Sequence, residues 1–271
     1  MIPLRFPCLF GIALLFAAPA CLADGVAVGN PSALRNLVPA QQLERQAAVE
    51  YDQMKQQARA RHALAPESYP QLRRLRGIAQ RLIPFAARWN PRAAQWAWEV
   101  NLIGSKQVNA FCMPGGKIAV YTGILDTLKL SDDEVAMVVG HEIAHALREH
   151  ARERIAKGEI TQLGATLLGQ VIGGGKYSGA FDFGGRLLTL KFSRDDETEA
   201  DVVGLDLAAR AGYDPRAAVT LWQKMMAANR GAPPQWLSTH PSGTHRIEEI
   251  ERRLPEVLPL YEQAKGGVVR R

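Results

Sequence analysis

Ser131-Asp132-Asp133-Glu134-Val135-Ala136-Met137-Val138-Val139-Gly140-His141-Glu142-Ile143-Ala144-His145 decides how this chain is read. Ser131 can cap the N–H groups of a first helical turn. Glu134, three residues on, can reach back to close a capping box. Val135, Val138, Val139, Ala146 and Leu147 then recur at helical spacing, and no proline intervenes before Lys157. The pattern predicts a helix over 131–157, with His141 and His145 one turn apart on one face. Two neutral imidazoles so placed can grip one zinc ion, and Glu142 beside them can act as a general base. Two histidines on a solvated face would be the plainer reading. It fits poorly with flanks as apolar as Val138, Val139, Ile143 and Ala144, because histidines in such a setting need polar partners or a metal.

A catalytic zinc takes three protein ligands and keeps a fourth place open. His150 is a tempting third. On a continuous helix it would sit about 140° around from His145, so it reads instead as a polar helix-face residue. The run Ser193-Arg194-Asp195-Asp196-Glu197-Thr198-Glu199-Ala200-Asp201 is a better source. Glu197 and Asp201 share a helix face, while Glu199 points away from them. One carboxylate could bind zinc while the other holds a zinc-bound imidazole in its tautomer. A solvated acidic helix start, favoured by the helix dipole, explains the same run. Spacing alone does not choose between the two.

Four pieces come in a telling order: Asn109-Ala110-Phe111 with Pro114-Gly115-Gly116; His141-Glu142-Ile143-Ala144-His145; Ser193-Arg194 through Glu197, Ala200 and Asp201; and Ser238-Thr239-His240-Pro241 with Arg246-Ile247. Together they resemble the HtpX-like family of zinc metallopeptidases, over about residues 70 to 255. That family includes the CAAX prenyl endopeptidases, the Oma-type proteases and the periplasmic LoiP- and BepA-type proteases. The export signal read at residues 1–23, with no other stretch apolar enough to span a membrane, points to the periplasmic branch. The resemblance implies an α+β, predominantly α-helical, zincin-type fold. It implies one Zn2+ per chain held by His141, His145 and Glu197, with Asp201 as the companion of a ligating imidazole. His240 and Arg246 become candidate donors to the tetrahedral oxyanion. His240 could alternatively fill the open place on zinc and hold the enzyme latent.

The rest of the chain frames this site. The sequence has 271 residues, 47% hydrophobic and 22% charged, with a formal net charge of +6. That suits one large domain with a real core. The basic residues are scattered without interleaved aromatics, so no nucleic-acid partner is expected. Residues 1–23 read as an export signal: Arg5 supplies a positive charge and Cys8 to Ala18 an apolar stretch too short to span a bilayer. Cleavage after Ala20 would leave Cys21 first and open to lipidation, hence to outer-membrane anchoring; cleavage after Ala23 would release Asp24. Three cysteines support no disulfide framework, and Cys112 is expected to be a small buried hydrophobe.

Residues 24–40 read as a linker and 41–265 as a single protease domain with N-terminal helices, followed by a tail at 266–271. Gln41 to Leu64 is expected to be helical, and so is the stretch from Leu72 to near Asn90. Alternation from Trp96 to Leu102, at Val108 to Cys112 and at Lys117 to Tyr121 predicts a small, mostly antiparallel sheet. Asn109, Ala110 and Phe111 would form an edge strand able to pair with an extended substrate. Ile160 to Ile172 reads as a helix, Gly173 to Gly185 as a loop that could act as a lid, and Arg246 to Leu254 as the last helix. His62 and His245 read as plain polar residues at helix ends.

The function expected is zinc-dependent hydrolysis of peptide bonds in extended or unfolded polypeptides, in a periplasmic, quality-control setting. A chaperone-like outer-membrane assembly factor with a structural zinc is the alternative.

Overall fold

The computed structural model describes residues 24–158, 187, 190–228, 234–240 and 244–269. The expected export signal, the helix expected over 160–172 and the glycine-rich stretch 173–185 lie outside the described residues. In chain order the elements are α1 (Ala40–Ala60), α2 (Pro70–Leu82), β1 (Glu99–Ile103), β2 (Ala110–Met113), β3 (Lys117–Tyr121), α3 (Thr122–Leu128), α4 (Asp132–Leu147), α5 (Arg194–Arg210), α6 (Ala217–Ala228), α7 (Gln235–Thr239) and α8 (Thr244–Val269). Short 3-10 turns lie at Ala33–Leu37, Ile83–Arg88 and Pro91–Gln95, and a further helical stretch at 150–158.

α4 is the axis of the core. Its capping box forms as expected: Ser131 Oγ accepts from the Glu134 N–H at 3.2 Å, and Glu134 Oε2 accepts from the Ser131 N–H at 2.8 Å. Every residue from Glu134 to Leu147 is buried. A helix buried on all sides needs walls on all sides. Here α5 covers one flank and β2 another, with α2 and α6 closing the remainder. Each fully buried aliphatic such as Val138, Ile143 or Leu147 contributes about 1.5–3 kcal/mol.

α5 starts the same way. Ser193 Oγ accepts from the Asp196 N–H at 3.2 Å, and Asp196 Oδ2 accepts from the Ser193 N–H at 2.7 Å. It crosses α4 at a glycine pair. A Cβ on Gly140 would stand 3.0 Å from Gly204 O, and one on Gly204 would stand 2.9 Å from His141 N. This close approach sets the acidic face of α5 against the histidine face of α4.

The sheet has the order β1-β3-β2. It is small, as expected, but mixed rather than mostly antiparallel. β2 and β3 form the hairpin signalled by Pro114-Gly115-Gly116, with both glycines at positive φ. β1 runs parallel to β3 on its far side. The strand period expected from Trp96 begins only at Glu99; Trp96 and Trp98 precede it and pack together at 5.2 Å. Among the described residues β2 is an edge strand.

Other boundaries differ from the sequence expectation. α1 ends at Ala60 rather than Leu64, and Leu64 forms an isolated bridge to Ile103 instead. Residues 24–40 are docked on the body rather than strung out as a linker. Val26 and Val38 are buried, Arg152 Nε donates to Val38 O at 2.5 Å, and Arg148 Nη2 donates to Gly29 O. α8 continues past Leu254, through Pro255 and Pro259, to Val269. Among the described residues no helix is long and apolar enough to cross a membrane.

Candidate metal centre

α4 carries His141, Glu142 and His145 inward, α5 carries Glu197 and Asp201, and α8 carries Arg246. His240 follows α7. All seven are buried. The Nε2 atoms of His141 and His145 lie 3.0 Å apart. Glu197 Oε2 is 3.5 Å from His141 Nε2, and Glu197 Oε1 is 3.4 Å from His145 Nε2. His240 Nδ1 lies 3.0 Å from Glu197 Oε1 and 3.3 Å from His141 Nε2. Donor atoms of these four residues all fall within 4.8 Å of one another.

The donors fit a zinc ion. Four ligands at about 2.1 Å in a tetrahedron stand about 3.4 Å apart, the spacing found here. Charge points the same way. Glu142, Glu197 and Asp201 bring three carboxylates into the core, and Arg246 offsets one. A dication balances the remaining two, and buried charge without such balance is costly. In the metal-free protein a proton on His141 offsets one of them. Burial works against the His141 cation, but hydrogen bonds to Asp201 and Glu197 outweigh it and push the imidazole up to about 9. Burial would raise Glu197, yet the histidines around it hold it far below the usual carboxylate range.

The carboxylates are braced from behind. Asp201 Oδ1 lies 3.0 Å from His141 Nδ1. Arg246 grips Asp201 through Nε and Nη2, each at 2.6 Å, and Glu197 through Nη1 at 2.5 Å. Its guanidinium lies 3.8 Å over the Trp222 ring. Arg246 therefore sits behind the donors and holds them, a different position from the oxyanion donor expected of it. His240 sits among the donors, in the fourth place, the position the alternative reading gave it.

Glu142 is held from the other side. Trp236 Nε1 donates to its Oε1 at 2.6 Å, and the Trp236 ring stacks on His240 at 4.8 Å. Burial raises the Glu142 carboxyl, against the opposing pull of His240, His141 and the Trp236 N–H.

The helix predicted to run to 157 breaks after Leu147. Glu149 takes a left-handed φ of 59°, which costs a non-glycine residue about 1 kcal/mol. Ion pairs from Arg152 at 3.0 Å and Arg35 at 2.9 Å hold it there. The break turns His150 inward. It is 1% exposed, so the expectation of a polar helix-face residue is corrected. Its Nδ1 lies 2.9 Å from His145 Nδ1, and its Nε2 lies 2.8 Å from Glu199 Oε2. Phe192 stacks on His145 at 4.0 Å.

Trp236, Phe192, His150 and Glu199 were all missed as site residues. The one sequence signal was the closeness of Trp236 to the Ser238–Pro241 segment and of Phe192 to Ser193. His245 is exposed, 3.8 Å from Glu248, and His62 is exposed, as read.

A cleft opens onto Glu142 and His145, and its walls include Asn109 to Pro114 and the apolar Leu187, Leu190 and Phe192. Tyr121 N donates to Asn109 O at 3.0 Å. In the alternating antiparallel ladder, Ala110 and Cys112 then aim their backbone groups away from β3. Cys112 is half-buried on this wall.

Residues 71–254 match the sequence profile of peptidase family M48. The chain belongs to that family. The M48 match takes in every residue of the cluster. Three relatives illustrate its range. Mitochondrial metalloendopeptidase OMA1 of Arabidopsis thaliana is 40% identical over 173 residues, 63% of this chain and 35% of the relative. Metalloprotease LoiP of Escherichia coli is 31% identical over 153 residues, 55% of this chain and 60% of the relative. The β-barrel assembly-enhancing protease of Yersinia pestis is 26% identical over 182 residues, 63% and 37%. The chain thus spans about a third to three fifths of the length of these curated relatives.

Proposed function

We propose that this M48 chain is a zinc-dependent endopeptidase that cleaves extended or unfolded polypeptides. The position of Glu142 carries the reading. It is buried one residue from a donor, its Oε1 is held by Trp236, and it sits at the head of a cleft walled by an edge strand. A purely structural metal site has no use for such a carboxylate.

His141, His145 and Glu197 would hold zinc, which when bound supplies Lewis-acid charge to the scissile carbonyl and to water. Glu142 takes the proton from the attacking water and delivers it to the leaving amine. Trp236 fixes the Glu142 carboxylate for that transfer. Asp201 keeps the His141 proton on Nδ1, so Nε2 faces the donors with its lone pair free. The outward carbonyl of Ala110 and the outward backbone groups of Cys112 offer an extended substrate a strand to pair with, while the Ala110 N–H already donates to Asn109 Oδ1 at 3.0 Å. Phe111 and the apolar lining of the cleft receive its side chains.

His240 fills the fourth donor position, so this arrangement is a resting one, and His240 must withdraw before a substrate carbonyl can enter. The closed four-donor set is also the one observation that favours the second reading, an assembly factor with a structural zinc.

A bacterial envelope setting is supported by the export signature read at 1–23 and by the likeness to a protease named for β-barrel assembly. In that setting the substrates would be misfolded or misassembled envelope proteins, and a lipid on Cys21 would hold the enzyme at the outer membrane.

Casein cleavage by wild type and by Glu142→Gln, each loaded with zinc, tests the enzyme reading. Cleavage by the wild type alone supports it. Equal cleavage by both removes Glu142 from the chemistry. A zinc-loaded wild type as inert as Glu142→Gln, even with His240 replaced, favours the structural reading.

A further inference from the structure

The two imidazoles on α4 are braced in different ways. His141 rests directly on a carboxylate, with Asp201 Oδ1 3.0 Å from its Nδ1. His145 rests on a second imidazole: His150 Nδ1 is 2.9 Å from His145 Nδ1, and His150 Nε2 is 2.8 Å from Glu199 Oε2. Arg148 also pairs with Glu199.

Counting hydrogens along this relay gives one consistent answer for neutral rings. The Glu199 carboxylate can only accept, so His150 Nε2 carries a hydrogen and donates it. A neutral His150 then has a bare Nδ1, which accepts from a hydrogen on His145 Nδ1. His145 Nε2 is left bare, and it is the atom lying 3.0 Å from His141 Nε2 and 3.4 Å from Glu197 Oε1. With both rings neutral, as metal binding requires, two separate relays thus present two lone pairs to one point.

The backbone is bent to achieve this. Glu149 takes its left-handed conformation between the end of α4 and His150, which faces back to His145. Backbone held in a sparsely populated conformation gathers where function requires it.

We propose that His150, backed by Glu199, is a positioning residue of the metal centre: it fixes the tautomer and ring orientation of His145 so that Nε2 is free to bind the metal. Groups that orient a ligating imidazole from behind typically change metal affinity 10–100-fold when removed. The inference rests on the metal reading above.

The test compares the full chain with His150→Leu, His150→Gln and Glu199→Gln. Leucine fills space but cannot accept a hydrogen bond. Glutamine keeps an acceptor for His145 Nδ1–H and a donor for Glu199. The zinc dissociation constant is measured by competition with a chromophoric chelator. The His145 tautomer is read from ring 15N shifts of the metal-free protein, a tractable spectrum with six histidines.

His150→Leu is expected to bind zinc about 10–100-fold more weakly and to show mixed His145 tautomers. His150→Gln should stay within a few-fold of wild type and keep the hydrogen on Nδ1. Zinc binding by His150→Leu as tight as wild type overturns the proposal. So does a folded His150→Gln as weak as His150→Leu.

If His150→Leu fails to fold, Glu199→Gln decides, because Glu199 is partly exposed, at 22%. Its amide can donate to His150 Nε2 and reverse the relay, so a mixed His145 tautomer supports the proposal and an unchanged one overturns it. A wild type that takes up no zinc defeats the metal reading instead, and the tautomer of the metal-free protein still judges His150.

Discussion

Gly204→Ala isolates how the helix crossing builds the site. The added Cβ would stand 2.9 Å from His141 N, 3.1 Å from Gly140 C and 3.2 Å from His141 Cα. All three are backbone atoms of α4, so no rotamer change relieves the contact. Ordinary contact begins near 3.4 Å, so α4 and α5 must part locally by about 0.5 Å. His141 and His145 would move with one helix, Glu197 and Asp201 with the other. Metal–ligand distances tolerate only about ±0.2 Å. Zinc affinity should fall about 10–100-fold, and peptide cleavage by up to about 10²-fold.

Stability has two opposing terms. Alanine restricts the unfolded chain and gains about 0.4–1 kcal/mol, while overpacking costs about 1–3 kcal/mol. The net expectation is a loss of about 1–2 kcal/mol. Gly77→Ala supplies the control. Gly77 is an exposed residue of α2, and a Cβ added there would meet nothing within 4 Å. The same substitution should therefore stabilise by about 0.4–1 kcal/mol. Urea unfolding of the two variants, with zinc titrations, reads both effects. If Gly204→Ala is stabilised as much as Gly77→Ala and binds zinc like wild type, the crossing does not set the donor spacing.

Three other perturbations probe separate parts of the account. His240→Ala should raise casein cleavage several-fold, since it vacates the fourth donor position; a fall would restore His240 as a donor to the oxyanion. Trp236→Phe keeps the stacking on His240 but removes the hydrogen bond to Glu142, and should lower kcat about tenfold with little change in zinc content; an unchanged kcat would remove Trp236 from the chemistry. Glu134→Ala should cost about 1–2 kcal/mol at neutral pH. Burial raises the Glu134 carboxyl, but Lys224, the Ser131 N–H and Thr220 together hold it below its ordinary value. A lowered folded-state pKa gives stability that is present above the unfolded value of about 4.3 and lost as pH falls through the folded one. The difference between wild type and Glu134→Ala should therefore shrink in urea titrations at about pH 3, and a constant difference would contradict that assignment.

What was legible in the sequence was local. The capping box at Ser131, the apolar spacing of α4 and the hairpin at Pro114-Gly115-Gly116 each depend on neighbours a few residues apart. The donors on α4 follow from that spacing. Choosing Glu197 and Asp201 over a solvated acidic turn needed the family resemblance, because a carboxylate pair on one helix face looks the same either way.

What was not legible depends on distant partners. A helix with no proline or glycine near Glu149 gives no sign of breaking there; the break is held by Arg35, more than a hundred residues earlier, as well as by nearby Arg152. His150 was misplaced for that reason. Trp236 meets Glu142 across 94 residues, and its role appears only once α7 lies over α4. β1 pairs parallel to β3, on the side away from β2, a choice that alternation within a strand does not encode. Residues 24–40 lack any period, yet Arg148 and Arg152 hold their backbone.

The most direct test of the central claim is anomalous diffraction at the zinc edge from crystals of the full chain grown with zinc. The account predicts one zinc per chain, bonded at about 2.0–2.2 Å to Nε2 of His141, Nε2 of His145 and the Glu197 carboxylate, with His240 Nδ1 in the fourth place. Crystals without zinc at this cluster, or with zinc held by other residues, would contradict it.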